Sequence, residues 1–140
     1  MLTETIISKL ANDSTLRTLI GATTANDAPI QAGFARGEVV AYLIAVDTVM
    51  GETEEVGGYE HGIMTIEIYV KVGNNSPVKK VTDIAKRIIN ILDLKGSTLS
   101  DSYTTAVYRL RKTGYTTDFD DVAQCHMGIL DFEFYTSRTV

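Results

Sequence analysis

His61, Cys125 and His126 are the only imidazole and thiol groups in the chain, so with the carboxylates they are where any chemistry would start. A zinc site needs further ligands, usually at a paired spacing such as C-x-x-C, and no such pairing occurs. Cys125 and His126 do not form a nucleophile and base, because neighbouring strand residues point to opposite faces. A packed thiol is the expected role of Cys125. Asp118, Asp120 and Asp121 crowd one short stretch, yet the glycine and distal glutamate of a calcium hand are missing, which leaves an acidic solvated turn. Glu52, Glu54, Glu55 and Glu60 could act as acid and base only in differing, partly buried environments. Set among Gly51, Gly57, Gly58 and Gly62, they read instead as solvated charge, as an interaction arm or as a pore-lining loop. Lys95-Gly96-Ser97-Thr98 has the ending of a phosphate loop without its upstream glycine, and it follows a helix. No catalytic residue, metal site or cofactor site is expected.

The elements that would position these residues belong to a small acidic chain. Its 140 residues fit one domain, expected to span 1–140 with an acidic insert at 47–62. Hydrophobic residues make up 44% and charged residues 22%, the balance of a soluble globular protein. No apolar run approaches the ~20 residues of a membrane helix, and Met1 to Asn12 lacks the charge and apolar blocks of a secretory leader. One cysteine excludes an internal disulfide framework and suits a reducing cytoplasm. A net charge of −5 without a basic block argues against nucleic-acid binding through phosphate neutralisation.

Leu2 to Ile20 reads as helix, broken at Asn12-Asp13-Ser14, where Asp13 or Ser14 can cap a second piece, and stopped by Gly21. Thr23 to Gly37 is small and polar and reads as loop, with Phe34 as its anchor. Val39 to Val46 is apolar on both parities, as in a strand covered on both faces or lying at a subunit contact. Asp47 to Gly62 breaks the pattern and reads as a long loop. Met64, Ile66, Ile68, Val70 and Val72 then alternate with Thr65, Glu67, Tyr69 and Lys71, the clearest strand. Ser76 as cap and Pro77 at the first position start a helix with Val78, Val81, Ile84, Ala85, Ile88, Ile91 and Leu92 on one face and Gly96 near its end. Thr105 to Lys112 and Gln124 to Tyr135 are the last strands, with a turn over Gly114 to Asp121. Leu130, Phe132 and Phe134 share a face, and Arg109 and Arg111 are expected to meet Asp131 and Glu133 across the hairpin. The fold class is α+β: one mixed or antiparallel sheet of about four main strands with helices on one face, in the order α-β-β-α-β-β. Tyr69 and Tyr135 point outward and, with Arg109 and Arg111, are candidate subunit contacts.

Taken in order, "TIISKLANDSTLRTLIG", "AYLIAV", "GIMTIEIYVKV", "PVKKVTDIAKRIINILD", "TTAVYRLRK" and "GILDFEFYT" resemble the tail terminator, or tail completion, proteins of long-tailed bacteriophages. That resemblance implies an α/β fold in a six-membered ring, placed at the head-proximal end of the virion tail after assembly in the host cytoplasm. Such a ring caps the tail tube protein, stops its polymerisation and meets the head–tail connector protein. DNA passes through the lumen without being read, and neither a catalytic residue nor a membrane is involved. Segment 23–37 lacks the aromatic and proline character expected between the first helix and first strand. The net charge suits a ring whose acidic lumen repels phosphate.

Two other readings fit the same pattern. One is another ring component, a connector, neck or tube protein. The other is a small cytoplasmic ligand-binding or enzymatic α+β domain, for which His126, Glu67 and Tyr69 would have to form a polar site.

Overall fold

The computed structural model describes residues 2–33, 39, 41–53, 59–95, 99 and 107–137, with side chains for all of these except 50–53, 59, 60, 107, 108 and 137. Among the described residues, three helices and five strands follow one another as α1 (Leu2–Ala11), α2 (Ser14–Leu19), β1 (Ile30–Ala32), β2 (Tyr42–Thr53), β3 (Tyr59–Lys71), α3 (Pro77–Leu92), β4 (Val107–Asp120) and β5 (Cys125–Ser137). The strands form one mixed sheet in the order β1-β2-β3-β5-β4. Among the described strands β1 runs parallel to β2, and the other three pairings are antiparallel. The helices share one side of the sheet, because their apolar stripes and the inward parity of the strands meet in a common core.

The break at Asn12-Asp13 separates α1 from α2. Asp13 is the cap, its Oδ2 accepting from the Leu16 N–H at 2.8 Å. Arg17 Nη1 donates to the Ala11 carbonyl at 3.0 Å and ties the two helices together. Helix α3 buries Val81, Ile84, Ala85, Ile88, Ile91 and Leu92. They meet Met64, Ile66, Ile68, Leu130 and Phe132, all without exposure. Each such aliphatic side chain contributes about 1.5–3 kcal/mol by leaving water.

The start of α3 departs from expectation. Ser76 sits at the cap position, but its backbone is left-handed (φ 52°, ψ 60°) and its hydroxyl makes no capping bond, so Pro77 carries the start signal. Val78, placed on the apolar face by its spacing, is 59% exposed on the rim of an open groove beside Phe119 and His126. The helix ends at Leu92 with Asp93 as its cap, and Gly96, expected near its end, lies outside the described residues. Beyond it the Leu94 N–H donates to the Leu110 carbonyl and Asp93 Oδ1 accepts from the Lys112 N–H, binding the end of α3 to β4.

Three loop expectations are corrected. Within 23–37, Ile30–Ala32 is a short parallel strand; its length and mixed parity give no period-2 signal. Phe34 lies outside the described residues. Asp47 to Gly62 is mostly hairpin: β2 runs on to Thr53, β3 begins at Tyr59, and pairing persists to Thr53↔Glu60 across an irregularity after Met50. Gly114 to Asp121 continues β4 as far as Asp120, past a bulge between Lys112 and Gly114, and the turn is confined to Asp121–Gln124. Val72, assigned inward by alternation, is 46% exposed, since β3 ends at Lys71.

Two glycines permit close packing. A Cβ on Gly128 would stand 2.8 Å from Val81 Cγ1 and 3.2 Å from Tyr115 Cε1, so bare backbone lets α3 and Tyr115 approach β5. A Cβ on Gly62 would lie 2.3 Å from Phe134 Cζ; the Phe134 ring covers its cross-strand partner.

Candidate interaction surfaces

The helix-free face of the sheet is built by the other parity of the same strands. Cross-strand partners share a face, so this surface is a series of rows. Leu43, Tyr69, Met127 and Asp118 form one row; Asp47, Thr65, Asp131 and Gly114 form another; Val49, Ile63, Glu133 and Arg111 form a third. Near the first row a small cluster buries Val39, Ala45, Tyr69 and Cys125. This face is therefore apolar at one end, carboxylate-rich in the middle, and mixed at the end where the β2–β3 hairpin closes.

Tyr69 lies on the outward face, yet its ring is only 5% exposed. Its hydroxyl donates to Glu67 Oε2, and burial, reinforced by that carboxylate, holds the phenol well above its usual pKa. Cys125 is fully buried beside it as a packed thiol, and burial pushes its pKa up as well. Tyr135 is half-buried and stacks on His61, with ring centroids 4.5 Å apart and an interplanar angle of 13°.

Arg111 Nη2 bonds Glu133 Oε1 at 2.6 Å, and His61 Nε2 stands 3.8 Å from Glu133 Oε2, beyond hydrogen-bond range. Arg109 faces Tyr135 instead of a carboxylate. The tight turn Asp121–Gln124 closes the hairpin at Asp120↔Cys125 and sets a register in which Asp131 is opposite Gly114. Asp131 Oδ1 accepts from Thr65 Oγ1 at 3.0 Å. Of the four predicted cross-hairpin charges, Arg111 and Glu133 meet.

Glu52 and Glu60 lie on the backbone of β2 and β3 in the distal part of the hairpin, while Glu54 and Glu55 are outside the described residues. Asp118 and Asp120 belong to the end of β4 and Asp121 to the turn. Asp120 holds that turn in shape, its Oδ1 accepting from the Val122 and Ala123 N–H groups at 2.9 and 3.0 Å. His126 and Cys125 do point to opposite faces. His126 meets Phe119 edge-on at 4.9 Å and helps line a groove of about 220 Å³ with Val78, Val81, Thr117, Phe119 and Met127. Among the described residues no three His, Cys, Asp or Glu side chains converge as metal ligands, and no helix is long and apolar enough to cross a membrane. Glu67 and Tyr69 bond each other while His126 lies on the other face, so the three form no common polar site.

Sequence reasoning missed the exposed apolar groups. Val49 and Ile63 are direct cross-strand partners, 62% and 53% exposed. Val78 is 59% and Phe119 38% exposed at the groove. The signal for the first pair was present: the alternation through Met64 extends back past Gly62, putting Ile63 on the face of Thr65. Recognising its partner required the register. Apolar pairs exposed beside charges suit docking of another macromolecule more than bond-making chemistry.

No protein-family model matches the chain, and no curated protein matches it. Among solved structures, the fold is similar to that of a chain in the virion of a native gene transfer agent (GTA) particle, with a TM-score of 0.69. The two chains are 13% identical, and the likeness covers 95% of this chain and 92% of the other. At that identity it is a likeness of fold.

Proposed function

We propose that this chain is a non-enzymatic structural protein of a phage-like virion. In this reading it caps the tail tube as an oligomeric ring of six copies, ends tube polymerisation and forms the tail side of the head–tail joint. DNA passes through its lumen without sequence-specific contact. The observation that carries the proposal is the fold likeness, which runs nearly end to end with a chain of a virion particle. It adds to the resemblance to tail terminators in the order and pattern of the segments. The uncovered sheet face supports it further: the Val49–Ile63 pair stands exposed in the row that ends on Arg111, where an assembly partner would cover it.

The test is to add the pure protein to its cognate tube protein during polymerisation and to image the products. Tubes of limited length with a ring at one end are expected, together with overlong, headless tails when the gene is deleted. Normal tails joined to heads in the deletion would overturn the proposal. Continuous tubes formed by this chain alone would make it a tube protein, and rings that bind heads but not tails would make it a neck component.

A further inference from the structure

We draw no further inference here: the strongest candidate, the open groove between the start of α3 and the closed end of the β4–β5 hairpin, lined by Val78, Phe119 and His126, carries nothing because nothing in the structure shows what covers it.

Discussion

Arg87 grips Asp13 with two parallel hydrogen bonds, Nε to Oδ2 at 2.9 Å and Nη2 to Oδ1 at 2.7 Å, across 74 residues of sequence. The same Oδ2 caps α2. One carboxylate thus starts a helix and clamps the α1–α2 corner to α3, the helix that packs against β3 and β5. The hydrogen bond from Arg87 outweighs burial and holds the Asp13 carboxyl below its usual pKa.

Asp13→Ala should lower stability by about 1 kcal/mol for the lost cap, with a further loss from the broken clamp. A double-mutant cycle with Arg87→Ala, followed by urea unfolding, separates the two; purely additive effects would mean that the clamp contributes nothing.

The sign of the acid dependence follows from the same pair. The unfolded carboxyl titrates near pH ~3.9, and the folded one lower. Its stabilisation is complete above the unfolded value and fades as pH falls through the folded one. Asp13→Asn should therefore be less stable than wild type at pH 7 and lose less on acidification, measured by thermal unfolding between pH about 2 and 6.

Gly128→Ala should cost about 1–3 kcal/mol, because the new methyl meets Val81 Cγ1 at 2.8 Å and α3 must lift. Adding Val81→Ala removes that methyl contact, so the double variant should lose less than the sum of the singles. Strict additivity would show that the helix does not press on this site.

At high pH, Tyr69 should govern part of the loss of stability. Its folded pKa is raised, so the unfolded phenol ionises first, near pH ~10. Stability is complete below that pH and is lost as pH rises towards the folded value. Urea unfolding of Tyr69→Phe should show a shallower decline above pH about 9 than wild type. A matching decline in both would remove Tyr69 as the cause.

Replacing Glu52, Glu54 and Glu55 together with lysine should impair virion assembly or DNA passage, given a role for the hairpin in the joint. Counting infectious particles and imaging tails checks this, and fully normal virions from the triple variant would exclude the hairpin from that role.

Much of the fold was legible because its signals are local. The stripe from Val81 to Leu92 has helical period, and Met64 to Val70 has strand period; both faces are buried as that patterning requires. The Asn12-Asp13 break and the inward run of Leu130, Phe132 and Phe134 were legible for the same reason. Strand ends were not. Acids and glycines in 47–62 and 114–121 look like loop, yet they pair because a long neighbour lies alongside, and a sequence does not display its partner's register. β1 was invisible because its three residues exist as strand only against β2.

Residue type and a period of two or 3.6 were enough to give the class of fold, the helix-facing surface and the packed role of Cys125. The tertiary structure alone decided that Tyr69 is buried, that Arg111 meets Glu133 while Arg109 faces Tyr135, and that Val49 and Ile63 stand exposed side by side. Those outcomes depend on register and on which sheet face the helices leave uncovered, relationships among distant segments that only folding brings together.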